Sequence, residues 1–370
     1  MGHPYRIREI AAQAGLSERT VDRVLNNRGQ VRESTVREVQ QAIADLDRQR
    51  SQLRQSGRTF MIDVVMQAPQ RFSFAVRDAL EAELPSLRPA TVRSRFHFRE
   101  SGPIEEMVAT LDRIRSRGSH GVILKAPDVP EIITSCWRLI KAGIPIVTLV
   151  TDLPGSQRLA YIGMDNRAAG ATAAYLMGQW LGDRPGDVLV TLSRGFFRGE
   201  EEREMGFQGA MRTRYPDRAM IEIDNSDGLD ETMRGLVLAS LDRNPNISAV
   251  YSIGGGNMAI VEAFASRQRP HSVFIAHDLD QDNTRLLRGG RISAVLHHDL
   301  RQDMRQACYT IMQAHNALPG AAYSWPSNIH IITPYNMPAP ALSHPERAGL
   351  VPASAARSRV SSSAAGRLPE

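Results

Sequence analysis

The chain has 370 residues, which is too long for one compact domain and fits two or three. Hydrophobic residues make up 42% and charged residues 23%, so wholesale disorder, a collagen-like chain and a disulfide scaffold are excluded. The net charge is +5, and residues 1–58 hold eleven arginines against seven acids. A small basic segment joined to a nearly neutral body indicates a polyanionic partner for that segment. Coding bias is the alternative, because all but two of the basic residues are arginine.

The cysteines and the apolar runs bear on the compartment of the protein. Cys136 and Cys308 lie inside apolar helical patterns, far from any histidine or cysteine at metal-ligand spacing. This usage favours a reducing compartment. The N-terminus MGHPYRIREI has no apolar signal-peptide core, and no apolar run in the sequence has the length of a membrane-spanning helix. We therefore expect a cytoplasmic protein with no membrane partner.

The first 46 residues predict three helices. Apolar residues recur at helical spacing over Ile7–Ala14, and Gly15 follows at a position suited to positive φ. Ser17 is a favourable N-cap for a second helix, and residues 34–46 form a third amphipathic stretch that begins with a serine cap. Two helices joined by a short glycine-containing turn predict a helix-turn-helix, whose second helix enters the major groove of DNA.

The first residues of the second helix are the candidates for reading DNA bases. Arg19 can make a bidentate contact to guanine, and Glu18 can accept a hydrogen bond from cytosine. Side chains around them would hold phosphates or further bases. The predicted DNA-binding residues are Arg6, Arg8, Ser17, Glu18, Arg19, Thr20, Asp22, Arg23, Asn26, Arg28 and Leu53. The alternative is that these side chains form only the solvated face of a small helical bundle.

The segment IREIAAQAGLSERTVDRVLNN resembles the N-terminal reading head of the LacI/GalR family of bacterial transcription regulators. The matching residues are Ile10-Ala11, Ala14-Gly15, Ser17, Thr20-Val21, Arg23-Val24 and Leu25-Asn26. The general organisation of the family fits the chain through about residue 340. Asp22 departs from the pattern, since the family usually has serine there. A carboxylate at this position would repel a phosphate, so Asp22 reads bases, pairs with Arg19, or accompanies a slightly different docking of the head.

Residues 47–59 are predicted as a basic linker. In the family, a short hinge helix inserts a leucine into the minor groove, and the resemblance assigns that role to Leu53. The segment DRQRSQLRQSGRT departs from the family because it has no proline and no second leucine. Four arginines and no acid follow Asp47, which suits a linker that becomes ordered on DNA.

From residue 60 to residue 332, apolar strand-like runs alternate with amphipathic helical stretches. This alternation predicts an α/β body of parallel sheet covered on both faces, long enough for two doubly wound subdomains with a cleft between them. The predicted strands are 60–66, 121–125, 144–150, 187–192, 248–253, 272–276 and 292–296.

The resemblance implies the topology of type I periplasmic sugar-binding proteins for this body, residues 60–342. Its crossovers are expected near residues 164, 294 and 327. Subdomain 1 would then comprise about 60–164 and 294–326, and subdomain 2 about 165–293 and 327–342. Residues 343–370 are rich in alanine, serine, proline and arginine and lack a leucine heptad, so they are predicted as a disordered tail.

Ligands of open parallel sheets lie beyond the carboxyl ends of the strands, so the residues that follow each apolar run are the candidates for a binding site. The resemblance implies a ligand-gripping arginine at Arg203 and a hydroxyl-accepting carboxylate at Asp278. The predicted effector-binding residues are Phe72, Phe74, Thr151, Asp152, Arg203, Gly255, Asn257, Asp278 and His298. Aromatic faces combined with charged groups suit a sugar or polyol. Val150 and Gly255 stand where sugar binders of the family usually have Asp and Asn, which leaves the identity of the ligand open.

An enzyme is the alternative interpretation, in which a sugar-processing enzyme carries the head as a localisation device. The sequence contains no nucleophile motif, and glycines 254–256 lack the lysine of a P-loop, which favours a tight strand-to-helix turn. His297, His298 and Asp299 have no second ligand pair nearby, so no metal and no cofactor are expected. We expect a non-enzymatic homodimeric repressor that binds double-stranded operator DNA under the control of a small molecule.

Overall fold

The computed structural model describes residues 4–29, 31–55, 57–193 and 197–338, except for the side chains of residues 48 and 50–55. Residues 1–335 form one compact unit. The side chain of Leu53 and the predicted tail, 343–370, lie outside the described part of the chain. None of the described helices is long and apolar enough to cross a membrane.

The N-terminal head consists of three helices: α1 (Ile7–Ala14), α2 (Glu18–Leu25) and α3 (Glu33–Gln55). Helix α1 ends as predicted at Gly15, whose φ of 65° is left-handed. Ser17 caps α2, since its Oγ accepts a hydrogen bond from the amide of Thr20 at 3.1 Å. Buried apolar side chains from the three helices form the core of the head: Ile10, Ala11, Val21, Val39 and Ala42.

Helix α3 differs from its prediction at both ends. It begins at Glu33, so the serine predicted as its cap lies inside the helix. It also continues to Gln55, past the predicted end of the head at residue 46, so most of the predicted linker is helical. Two contacts hold this extension against the start of the chain. Tyr5 Oη donates to Asp47 Oδ1 at 2.5 Å, and Gln49 Nε2 donates to Gln13 Oε1 at 3.4 Å.

The body contains two six-stranded sheets. The first sheet has the order β11-β5-β4-β3-β1-β2 and is parallel throughout. Its strands are β1 (Thr59–Gln67), β2 (Thr91–Arg99), β3 (Gly121–Lys125), β4 (Ile146–Leu149), β5 (Ala160–Met164) and β11 (Trp325–Ser327).

The second sheet has the order β12-β10-β9-β8-β6-β7. It is parallel except for β12, which runs antiparallel to β10. Its strands are β6 (Asp187–Ser193), β7 (Met220–Ser226), β8 (Ile247–Ser252), β9 (Val273–His277), β10 (Ala294–His297) and β12 (His330–Ile332).

Helices cover both faces of the first sheet. One face packs on α4 (Gln70–Glu83) and α12 (Leu300–Ala314), and the other packs on α5 (Ile104–Arg117) and α6 (Pro130–Lys141). These elements form the first lobe. The second lobe combines the second sheet with five helices: α7 (Asn166–Leu181), α8 (Arg198–Arg214), α9 (Asp230–Arg243), α10 (Asn257–Ser266) and α11 (Gln281–Arg288). The predicted fold, a three-helix head with two doubly wound α/β subdomains, is therefore confirmed.

All seven predicted strands are present, and the described part of the chain contains five further strands that were not predicted. Strand β2 has the sequence TVRSRFHFR, in which basic and apolar residues alternate, because it forms one edge of the first sheet and only one of its faces packs on the core. Strand β7 forms the corresponding edge of the second sheet. Strands β11 and β12 have three residues each, which is too short for a periodic signal. Strand β5, AYIGM, is five residues long and was also missed.

The chain crosses between the lobes three times. It leaves the first sheet after β5, returns after β10, and leaves again between β11 and β12. The second crossover lies after residue 297 rather than near 294, since β10 pairs with β9 in the second sheet. The expected segment 294–326 of subdomain 1 therefore loses β10 and keeps α12 and β11.

Helices α7 and α8 approach each other closely in the second lobe because glycines lie at their contact. A Cβ atom on Gly170 would lie 1.8 Å from the carbonyl oxygen of Arg203, and one on Gly206 would lie 2.0 Å from the carbonyl oxygen of Arg167. Neither carbonyl group can move locally to make room for a methyl group, since each belongs to the backbone of a helix.

Gly170→Ala is expected to destabilise the fold, because α7 and α8 must separate to admit the methyl group. The expected loss in the free energy of unfolding is about 1–3 kcal/mol. Gly209→Ala is the matched control, since Gly209 lies in α8 with open space around its Cα. That variant is expected to gain up to about 1 kcal/mol in urea denaturation from helix propensity. Equal effects of the two substitutions would contradict the close helix contact.

Candidate ligand-binding cleft and nucleic-acid interface

A cavity lies between the two lobes, where carboxyl ends of strands from both sheets meet. Residues at or just beyond the ends of β1, β3, β4, β8 and β9 contribute to its wall. Its empty space is about 610 Å³, including the part open to solvent. The position is the one expected for ligands of open parallel sheets.

Six of the nine predicted effector-binding residues line this cavity: Phe72, Thr151, Arg203, Gly255, Asn257 and Asp278. Three do not. Phe74 is 45% exposed and lies against the guanidinium of Arg77, 5.6 Å from its ring centroid. Phe72 and Phe74 belong to helix α4, and residues two apart on a helix face different directions, so only Phe72 reaches the cavity.

Asp152 is engaged in the first lobe and does not reach the cavity. Its carboxylate accepts hydrogen bonds from Arg158 and from Thr148 Oγ1, the latter at 2.8 Å. Val150, where the family usually has Asp, lines the cavity instead with a left-handed φ of 67°. Its carbonyl oxygen accepts a hydrogen bond from Asn166 Nδ2 at 3.0 Å. The segment after β4 therefore contributes Val150 and Thr151 to the cavity wall, not the expected carboxylate.

His298 is fully buried behind the cavity wall, between two carboxylates. Its Nδ1 contacts the carboxylate of Asp303, and its Nε2 lies 3.6 Å from Asp278 Oδ1. Ser327 Oγ donates to Asp303 Oδ1 at 2.6 Å. Burial alone would lower the pKa of His298, but Asp278 and Asp303 outweigh it and raise this pKa to about 9. The positive charge of His298 therefore faces Asp278, which lines the cavity itself.

Arg203 and Asp278 carry opposite charges in the wall of the second lobe. Burial would raise the pKa of Asp278, but the positive charges of His298 and Arg203 hold it well below the ordinary value. Arg203 is 3% exposed, and its Nε donates to Asn166 Oδ1 at 2.8 Å. Asn166 therefore joins Arg203 to the segment after β4. Within the described part of the chain, Arg203 Nη2 and Asp278 Oδ1 have no hydrogen-bond partner.

The glycines after β8 form a tight strand-to-helix turn. Gly255 and Gly256 have φ of 100° and 75°, and Gly256 precedes the first residue of α10. A Cβ atom on Gly254 would lie 2.2 Å from the amide nitrogen of Ser193, so the turn packs directly on the end of β6. This geometry allows Asn257, which opens α10, to reach the cavity.

Several further polar and aromatic residues line the cavity and were not predicted: Arg71, Lys125, Phe197, Glu200, His277, Asp280 and Asn283. Arg71 belongs to α4, yet its Nε donates to Asp280 Oδ2 in the second lobe at 2.8 Å. It thereby joins the two lobes across the cavity. Lys125 is the last residue of β3 and His277 is the last residue of β9. Both could have been predicted, because ligands of open parallel sheets lie beyond the carboxyl ends of the strands. Arg71 and Glu200 belong to helices, so the expectation about strand ends does not predict them.

The predicted DNA-reading side chains lie at the start of α2. Glu18 and Arg19 are exposed in its first turn, whereas Ser17 and Thr20 are joined by a hydrogen bond between their hydroxyls at 2.8 Å. Asp22 accepts a hydrogen bond from Asn26 Nδ2 at 2.8 Å and lies 3.9 Å from Arg28 Nη1. Neither contact involves Arg19. Arg28 therefore offsets the charge that distinguishes Asp22 from the usual serine of the family.

The remaining predicted head residues have varied surroundings. Arg6 and Arg8 are exposed at the start of α1, and the backbone amide of Arg6 donates to Glu9. Arg23 Nε donates to the carbonyl oxygen of Arg28 at 3.3 Å, which closes the loop after α2. No group of three or more histidine, cysteine or acidic side chains that could hold a metal ion occurs in the described ranges.

Two family models match the chain. The model described as periplasmic binding protein domain matches residues 65–318, and that of the lacI family of bacterial regulatory proteins matches residues 6–50. A helix-turn-helix head joined to a ligand domain of this kind defines a DNA-binding regulator. The chain belongs to the lacI family of bacterial regulatory proteins, as its resemblance implied.

Solved structures share the fold of the body. The glucose-galactose binding protein GanP of Geobacillus stearothermophilus is 18% identical with a TM-score of 0.67, over 76% of this chain and 99% of its own. A candidate LacI transcriptional regulator of Bacteroides fragilis is 17% identical with a TM-score of 0.66, over 75% and 98% of the two chains. A solute-binding protein of Burkholderia graminis in complex with D-arabinose is 18% identical with a TM-score of 0.68, over 76% and 97%. None of the curated proteins matches the sequence.

The buried ion cluster predicts a pH dependence of stability. Because the pKa of His298 is raised from 6.5 to about 9, its contribution is complete below pH 6.5 and is lost as the pH rises through about 9. The difference in unfolding free energy between wild type and His298→Gln is therefore expected to shrink by on the order of 3 kcal/mol over that interval. Urea denaturation at a series of pH values measures it.

His271→Gln is the control for this experiment. Burial lowers the pKa of His271, so its ring is neutral in both the folded and the unfolded chain above pH 6.5. The corresponding free-energy difference is expected to stay constant from pH 6.5 to pH 9. A constant difference for His298→Gln as well would show that His298 is not held as a cation between the two carboxylates.

Proposed function

We propose that the protein is a cytoplasmic repressor that binds operator DNA as a homodimer and responds to a small polyhydroxyl molecule, such as a sugar or polyol, in the interlobe cavity. One observation supports this class of ligand. Arg203 Nη2, Asn257 Oδ1 and Asp278 Oδ1 are buried side-chain atoms of cavity-lining residues without a hydrogen-bond partner in the described structure. They comprise a donor and two acceptors. A hydroxyl group both donates and accepts, so a polyhydroxyl ligand can pair with all three.

In this proposal, the exposed start of α2 reads the bases of the operator directly. Each head of a dimer places this helix in one of two successive major grooves of a near-palindromic site. Glu18 and Arg19 contact bases, while the basic side chains around them contact phosphates. The exposure of both residues and the lacI-family match of residues 6–50 support this assignment.

The cavity is proposed to control the head through the separation of the lobes. Arg71 and Asp280 already join the lobes across the cavity, and Arg71 Nη2 also donates to the carbonyl oxygen of Gly228 at 3.4 Å. A ligand that contacts both lobes favours one separation over another. It changes DNA binding only if it has different affinities for the two arrangements.

Arg19→Ala is expected to weaken operator binding about 10- to 100-fold and to relax selection at one base pair of each half-site. This corresponds to the roughly 1–3 kcal/mol of a bidentate base contact. Selection from random duplexes followed by fluorescence anisotropy measures both effects. Arg267→Ala, which removes an exposed body arginine paired with Asp242, is the control. Unaltered selection by Arg19→Ala, or specific binding by a chain that begins at Thr59, would count against the assignment.

Asp278→Asn is expected to abolish ligand binding without loss of operator binding. The substitution keeps the size of the side chain but removes the charge that accepts from ligand hydroxyls. A thermal-shift panel of pentoses, hexoses, polyols and sugar acids identifies ligands of the wild type, and Asp242→Asn is the exposed control. Equal shifts in wild type and Asp278→Asn would place the ligand elsewhere.

A further inference from the structure

Lys125 is a buried cation in the wall of the proposed ligand site. It is the last residue of β3, in the first lobe, and is 9% exposed. Its Nζ donates to the carbonyl oxygen of Gln67 at 3.2 Å and lies 4.0 Å from the ring centroid of Phe197. An ammonium group has three donors. Within the described ranges, no carboxylate lies within ion-pair distance of it.

The carboxylates of the cavity have other partners. Glu200 accepts from the amide of Ser193 at 2.9 Å and from its hydroxyl at 2.7 Å. Asp280 is paired with Arg71, and Asp278 faces His298. Among the described residues, none of these acids forms an ion pair with Lys125.

A second buried cation, Arg203, lines the same cavity from the second lobe. Burial lowers the pKa of Lys125 to about 8, with Glu200 and Asp278 opposing this shift and Arg203 adding to it. Arg203 also keeps Nη2 without a partner among the described residues. Buried charges are costly unless they are paired and hydrogen-bonded. An anionic group between Lys125 and Arg203 would use the free donors of both and offset their mutual repulsion.

We propose that the effector is a hydroxylated carboxylic acid, whose carboxylate is bound by Lys125 and Arg203 and whose hydroxyls are bound by Asp278 and Asn257. This inference rests on the proposed function, since it names the chemical class of the molecule that occupies the same cavity. Charge-assisted hydrogen bonds from an ammonium and a guanidinium are about twice as strong as neutral ones, so the acid is preferred over its neutral parent sugar.

Isothermal titration of the full-length protein with matched pairs tests the proposal. The probes are D-gluconate, D-galactonate, D-glucuronate and D-galacturonate, each compared with D-glucose or D-galactose. In the wild type, at least one acid is expected to bind 10-fold or more tightly than its parent aldose. Lys125→Met, which keeps an unbranched apolar side chain but removes the ammonium group, is expected to lose that preference. Lys141→Met replaces the other lysine, exposed on α6, and is expected to retain it.

Thermal melting shows whether the variant is folded. Because Lys125→Met removes a buried charge that has no ion pair, its Tm is expected to equal or exceed that of the wild type. The proposal is overturned if no acid binds, if an aldose binds as tightly as its acid, or if Lys125→Met keeps the preference for the acid. A Tm well below that of the wild type would equally contradict the account of Lys125 as an uncompensated cation.

Operator binding, measured in the same samples, separates this proposal from the broader one. If a neutral sugar alters DNA binding while no acid does, the proposed regulatory function is supported and the proposal of an acidic effector is contradicted. If an acid binds through Lys125 but leaves DNA binding unchanged, the proposed class of ligand is supported and the proposed regulatory function is contradicted.

Discussion

The buried ring of His298 lies between two carboxylates at the point where the chain leaves the second sheet for the first. One nitrogen contacts Asp303, on the helix that covers the first sheet, and the other faces Asp278 on the cavity wall. Ser327, at the end of β11, donates to Asp303, so a single ionic cluster joins two crossovers to the ligand site. Breaking a buried ion pair by removing one partner costs about 3–5 kcal/mol, so the contact between His298 and Asp303 fixes the crossover after β10. The geometry of the cavity and that of the hinge between the lobes are therefore set together.

The cavity combines this fixed cluster with contacts that can respond to a ligand. Arg71 and Asp280 span the lobes directly, while Lys125 and Arg203 retain free donors on opposite lobes. A ligand that pairs with the free donors adds interlobe contacts without disturbing the ions that hold the hinge. In the proposed function, the exposed Glu18 and Arg19 of the head respond through a change in position.

The sequence predicts the head and most of the sheet core because local signals are strong there. Gly15 and Ser17 mark the ends of two helices by backbone preference, and central strands such as β3 are continuous apolar runs. Edge strands carry weaker signals, as the basic residues of β2 show. The cavity is predictable where residues follow strands, as Asp278 does, but Arg71 reaches it from a helix. His298 shows a further limit, since only the fold reveals that its ring lies between Asp278 and Asp303, behind the cavity wall.

The central claim is that occupancy of the interlobe cavity and operator binding are thermodynamically coupled. The most direct test is to measure the affinity of the ligand with and without saturating operator DNA, and the affinity of the operator with and without saturating ligand. Linkage requires the two ratios to be equal, and coupling of about 1–3 kcal/mol would make each roughly 5- to 150-fold. Equal, large ratios would support the account. Ratios of one in both directions, with ligand and DNA each bound specifically, would contradict it.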